Sequence, residues 1–195
     1  METRGRKNAL LNDLIRRVDA VMARERDTKR LAERVGEALR PFLGRPGLLE
    51  PAQREADPAH YRQHILHVAD DGSYSVVALV WLPGQATTIH DHVSWCVVGL
   101  HEGCEQEDHY ERDITVRDGY PDEYLIATGT SFNQVGTIAT LNPPGDIHVV
   151  SNPGPGMAIS LHIYGADVRK LGSSIRRRYD LPVYHAEPAP VRIAS

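Results

Sequence analysis

Ala86-Thr87-Thr88-Ile89-His90-Asp91-His92-Val93 is the run on which the reading of this 195-residue chain turns. Its β-branched residues favour an extended strand, and in a strand residues i and i+2 project from one face. His90 and His92 therefore share a face from which two imidazoles can meet one metal ion, while Asp91 points the other way and makes a poor ligand. The strand has company on both sides. From His60 onward, short runs rich in Val, Ile, Leu, Tyr and Thr alternate with turn clusters such as Asp70-Asp71-Gly72, Pro83-Gly84, Asp118-Gly119 and Pro143-Pro144-Gly145. Strands are expected near 63–68, 74–82, 87–92, 94–101, 105–115, 123–128, 131–135, 137–141, 147–151 and 157–164. So many short strands predict a mainly β sandwich or barrel.

Before the strands the period changes. Leu10, Leu11, Leu14, Ile15, Val18, Val21 and Met22 recur at helical spacing. Thr28 is placed to cap a second helix carrying Leu31, Val35, Ala38 and Leu39, which Pro41 stops. The expected organisation is one domain over 1–195: a helical segment and loop (1–58), a β-barrel core (59–165) and a C-terminal arm (166–195). A short helix or arm is expected over Gly165 to Tyr179, and a loosely held tail from His185.

The formal net charge of -4 argues against nucleic acid, because phosphate binding needs a basic surface. The basic run Arg4 to Lys7 reads as a solvated helix face. No apolar stretch is long enough to cross a bilayer, and no apolar signal core follows the N-terminus. Two cysteines, Cys96 and Cys104, make no disulfide framework. A cytoplasmic monomer or homodimer without membrane partners is expected.

Spacing sharpens the picture. Gly84 is followed after five residues by His90-Asp91-His92, after three more by Cys96, and after another six by Gly103. Downstream, Pro143-Pro144-Gly145-Asp146-Ile147-His148 precedes Asn152 by four residues. These two motifs resemble those of the cupin superfamily over roughly residues 60 to 165, with a leading glycine of the second displaced (Gly136 is the nearest). The resemblance implies a jelly-roll β-barrel with N-terminal α-helices and a metal held in its mouth by His90, His92 and His148. Cys96 stands where most metal cupins place a glutamate ligand. Three neutral imidazoles remain, a donor set that suits Fe, Ni, Cu or Zn over Mg or Ca.

A three-histidine cupin of this kind resembles the cysteine dioxygenase family of thiol dioxygenases. Ser160-Leu161-His162-Ile163-Tyr164 sets serine, histidine and tyrosine on one strand face, as in that family's relay beside the metal. By position Cys96 and Tyr164 match the pair joined by a thioether in animal members. Trp81 and Trp95 look more like the bacterial branch, which often has glycine at the place of Cys96. The resemblance implies Fe(2+), a small thiol and O2 as reactants, and a sulfinic acid as product. In Tyr61-Arg62-Gln63-His64, Gln63 fits the place of the carboxylate-binding arginine of animal-type enzymes. Glutamine there resembles the enzymes that prefer 3-mercaptopropionate, with cysteine next, and leaves Arg169, Arg176 or Arg177 to hold the carboxylate. Rival readings are a cupin isomerase or lyase on the same histidines, and a cupin that only binds a small ligand. A 2-oxoglutarate dioxygenase lacks its His-x-Asp/Glu pair here.

Overall fold

The computed structural model describes residues 8–117 and 120–185. The basic run Arg4 to Lys7, the Asp118-Gly119 turn and the tail beyond His185 lie outside them. Two helices come first, α1 (Ala9–Met22) and α2 (Thr28–Leu39). The cap of α2 is Asp27, whose side chain accepts from the Arg30 N–H at 2.9 Å. Thr28 is the first helical residue instead, because the Asp27 carboxylate one position earlier reaches the free amide. Each helix turns one apolar stripe inward: Leu11, Leu14, Ile15 and Val18 from α1, and Leu31, Val35 and Leu39 from α2.

Eleven strands follow among the described residues: β1 (Arg62–Val68), β2 (Ser75–Trp81), β3 (His90–His92), β4 (Cys96–Glu102), β5 (Cys104–Arg117), β6 (Tyr120–Gln134), β7 (Ile138–Leu141), β8 (Ile147–Ser151), β9 (Ala158–Tyr164), β10 (Ile175–Arg178) and β11 (Val183–His185). They form two facing sheets, ordered β1-β2-β9-β4-β7 and β10-β3-β8-β5-β6-β11. The fold is mainly β, a cupin barrel preceded by helices.

Three expectations change. The separate strands near 123–128 and 131–135 are one continuous β6: the register shifts between His109–Gly129 and Tyr110–Ala127, so Thr128 is absorbed as a bulge and the neighbouring glycine does not end the strand. The strand expected from 87 begins at His90, Ala86 making only a bridge to Ser151. The stretch Gly165 to Tyr179 holds a one-turn helix, α3 (Val168–Leu171), and then strand β10, which joins the second sheet beside β3. The arm thus supplies barrel wall. No helix among the described residues is long and apolar enough to cross a membrane.

The first sheet is covered on both faces. Val76, Ala78 and Val80 of β2 pack with the helices, whereas Val77, Leu79 and Trp81 face the barrel interior. Gly103 turns the chain between β4 and β5 with φ 76°. A Cβ there would lie 2.7 Å from the Met157 carbonyl oxygen, so both the conformation and the space require glycine.

Candidate metal centre

Period-two alternation on β3 turns His90 and His92 into the barrel, and β8 lies antiparallel with His148 directly opposite His90. All three are buried, and their ligating atoms lie within 4.8 Å of one another. Each Nδ1 is already committed. It contacts the Thr88 carbonyl at 2.9 Å in His90, the Asp146 carboxylate at 2.9 Å in His92 and the Glu107 carboxylate at 2.5 Å in His148. A backbone carbonyl and a carboxylate accept only, so each Nδ1 carries a proton and each Nε2 is the nitrogen left to face a metal. The Nε2 of His148 is buried with no hydrogen-bond partner. Burial, with the neighbouring His148 and His92, pushes His90 down to about 3, so that ring is neutral. Three imidazole nitrogens converging on one point, one of them orphaned, fit a transition-metal ion.

The Ser160-His162-Tyr164 row belongs to the facing sheet. Ser160, His162 and Tyr164 are buried on the inner face of β9. The Ser160 Oγ lies 2.9 Å from His162 Nε2, and the Tyr164 hydroxyl 3.1 Å from His162 Nδ1. Burial, with the three other histidines, pushes His162 down to about 3. Burial and the nearby Cys96 hold the Tyr164 phenol well above its ordinary range, so it stays protonated. Cys96 is wholly buried and pairs across β4 and β9 with Tyr164. Its Sγ lies 3.9 Å from His162 Nδ1, and burial keeps the thiol protonated.

A narrow cavity opens over the imidazoles, with Gln63, Tyr61, Thr87, Tyr164 and Ser174 as its polar lining and Leu79, Val150 and Ile175 as its apolar lining. Tyr61 stacks on Trp81 with ring centroids 4.5 Å apart. Gln63 is therefore brought to the site. The three arginines are not. Arg169 pairs with Asp167. Arg176 pairs with Asp91 on the far side of β3, and Arg177 pairs with Glu123 while stacking over Tyr179. The register of β10 against β3 shifts between Ile175 and Arg177, so Ile175 lines the cavity while the guanidinium of Arg176 meets Asp91, the residue between the two histidines.

Sequence reasoning missed Glu105, Glu107, Asp146, Tyr61 and Ser174. Glu105 and Glu107 sit i, i+2 on β5, the same spacing that marked the histidine pair. Asp146 stands inside the second motif, two residues before His148. Ser174 carries no local signal, because only the pairing of β10 with β3 brings it to the cavity.

The sequence model of the cysteine dioxygenase type I family matches residues 53–172. Solved structures similar to this chain include a double-stranded β-helix domain protein from Klebsiella pneumoniae, at 17% identity and TM-score 0.41 over 63% of this chain and 92% of that one. A cupin 2 conserved barrel domain protein from Salinispora arenicola is 19% identical with TM-score 0.40, over 66% of this chain and 93% of the other. Oxalate decarboxylase from Bacillus subtilis is 17% identical with TM-score 0.41, over 58% of this chain and 27% of that one.

Proposed function

The chain belongs to the cysteine dioxygenase type I family, and we propose that it is a non-haem iron(II) thiol dioxygenase converting a small thiol carboxylate to its sulfinate, with 3-mercaptopropionate preferred to cysteine. The net reaction is RSH + O2 → RSO2⁻ + H⁺, so the thiol supplies every electron. The observation that carries the proposal is the convergence of three Nε2 atoms on one point with a buried Ser-His-Tyr row beside it. Iron(II) held by His90, His92 and His148 would supply Lewis acidity toward sulfur and a redox centre for O2.

The protein's own groups do the rest. Leu79, Val150 and Ile175 exclude water from the sulfur end of the cavity, which strengthens every polar contact inside. Tyr164 presents its hydroxyl oxygen to the reacting thiol and keeps its link to His162. Gln63 in the place of the animal-type arginine supports the preference for 3-mercaptopropionate, and its amide N–H and the Ser174 hydroxyl, both lining the cavity, are donors suited to a substrate carboxylate. Among the described residues no lysine or arginine lines the cavity. Neutral donors replace the guanidinium expected from Arg169, Arg176 or Arg177, and carboxylate selectivity then rests on hydrogen-bond geometry.

Oxygen-electrode turnover of iron-loaded protein with 3-mercaptopropionate, cysteine and cysteamine in parallel tests this. The expected order is 3-mercaptopropionate, then cysteine, then cysteamine. In Gln63→Ala, KM for 3-mercaptopropionate should rise about tenfold with kcat little changed, the loss of one hydrogen bond to a charged group. Absence of uptake with every thiol would replace this reading with a metal-binding cupin of another class, and a preference for cysteamine would overturn the carboxylate.

A further inference from the structure

The relay does not end at Ser160. Glu105, on the inner face of β5 in the opposite sheet, is 1% exposed, and its carboxylate takes the Ser160 hydroxyl as a partner. Its other oxygen, Oε1, is buried with no hydrogen-bond partner. No cation pairs with it among the described residues. Its titratable neighbours are Glu107 on its own strand and Tyr164 on β9, with His162 reached through Ser160. Cys96 on β4 stays a neutral thiol.

Counting donors and acceptors orders the protons. The Trp81 indole N–H, a donor only, occupies one lone pair of Ser160 Oγ at 3.2 Å. One lone pair and one proton remain to serve Glu105 and His162. If Glu105 is ionised, Ser160 donates to it, His162 Nε2–H donates to Ser160, and the bare Nδ1 accepts the Tyr164 O–H. The tyrosine oxygen then faces the cavity as an acceptor. If Glu105 is protonated, every bond reverses: Glu105 donates to Ser160, Ser160 to Nε2, Nδ1–H to the tyrosine oxygen, and the Tyr164 O–H is released toward Ser174 and the cavity.

We infer that Glu105 is the inner terminus of a four-residue proton chain, and that its protonation state sets whether Tyr164 accepts from or donates to the substrate. The role in turnover rests on the thiol dioxygenase reading; the proton order does not. In the step itself one S–H bond of the substrate breaks and one O–H bond forms on Glu105. Four short hops pass through Tyr164, His162 and Ser160, giving RSH + Glu-COO⁻ → RS⁻ + Glu-COOH with no change of oxidation state. The hops leave the chain reversed, so the tyrosine that took the thiol's proton now presents one to the cavity. The proton released overall leaves by the reverse passage when sulfinate departs. Burial, reinforced by Glu107, raises Glu105 to about 7, so both states are reachable near neutrality.

Nitrogen-15 NMR of histidine-labelled, metal-free protein tests the order directly, with His162 assigned by the signals lost in His162→Asn. The wild type should pass from the Nδ1–H to the Nε2–H tautomer as pH rises through neutrality. Glu105→Gln, which can still donate or accept but cannot ionise, should abolish the pH-dependent switch and leave the His162 tautomer the same on both sides of neutrality. With iron, its kcat should fall at least tenfold, lose the ionisation near neutral pH and leave KM within about twofold. A wild-type His162 fixed in one tautomer on both sides of neutrality overturns the inference, and that titration decides even if Glu105→Gln fails to fold. A tautomer switch without O2 uptake supports the proton order and overturns only the thiol dioxygenase reading.

Discussion

At the scale of single residues, the histidines are set by what stands behind them. Glu107 and Asp146 each hold one Nδ1, and Glu107 is held below its ordinary carboxylate range by its bond to His148 despite the burial that opposes it. A charged acceptor makes the imidazole more basic and fixes its tautomer. Glu107→Gln keeps the acceptor oxygen but removes the charge, so iron affinity should fall by about 10–100-fold in a competition titration, with Asp146→Asn behaving alike. Glu105→Gln, two residues away on the same face, should leave iron affinity unchanged, because its carboxyl serves the relay. Equal losses in both would mean that the two glutamates act as one electrostatic unit.

At the scale of elements, β10 shows how the arm is attached. Asp91 is fully buried. It accepts from the Arg176 guanidinium, from the Arg177 amide at 3.0 Å and from the Tyr179 hydroxyl at 2.8 Å. Three donors on one carboxylate tie β10 to the strand that carries two candidate ligands, and β10 in turn brings Ile175 and Ser174 to the cavity. Asp91→Asn must turn an N–H toward one of those donors, which should cost about 1–3 kcal/mol. Amide exchange at Arg177 should quicken correspondingly, by roughly 5- to 150-fold if opening is local to the arm. This contact also explains what could be read in the sequence. His90, His92, His148 and the Ser160-His162-Tyr164 row follow from strand alternation and local spacing, which a sequence displays. Arg176 beside Asp91 is a pairing across more than eighty residues. Without it, an arginine-rich run near the site reads as a carboxylate clamp. Glu105 and Glu107 stayed hidden for a related reason: a strand carboxylate is normally solvent-facing, and only the packing of two sheets shows that this face points inward.

At the scale of the whole molecule, the site is divided between two layers. The three histidines come from the sheet containing β3 and β8, and Trp81, Cys96, Ser160, His162 and Tyr164 come from the sheet containing β2, β4 and β9. Glu105 reaches from the first layer to the second. The relay layer is the one covered by the helices, and closely. A Cβ on Gly99 of β4 would stand 2.8 Å from Leu39 Cδ2 and 2.9 Å from Leu43 Cδ2, so the end of α2 presses on the back of the strand that carries Cys96. Leu39 is fully buried there. Leu39→Ala should therefore remove about 2–5 kcal/mol of stability, as buried leucine truncations do, and lower the melting temperature by roughly 4–20 °C for a chain of this size. The two layers should then respond differently. Iron affinity belongs to the uncovered sheet and should stay within about threefold of the wild type, since α2 packs on β4 and β7 of the other sheet. Turnover of the iron-saturated variant should drop further than its affinity, because the wall behind Ser160, His162 and Tyr164 has lost its backing. A parallel loss of affinity and turnover in Leu39→Ala would show instead that the barrel yields as one unit and that the helices brace both layers.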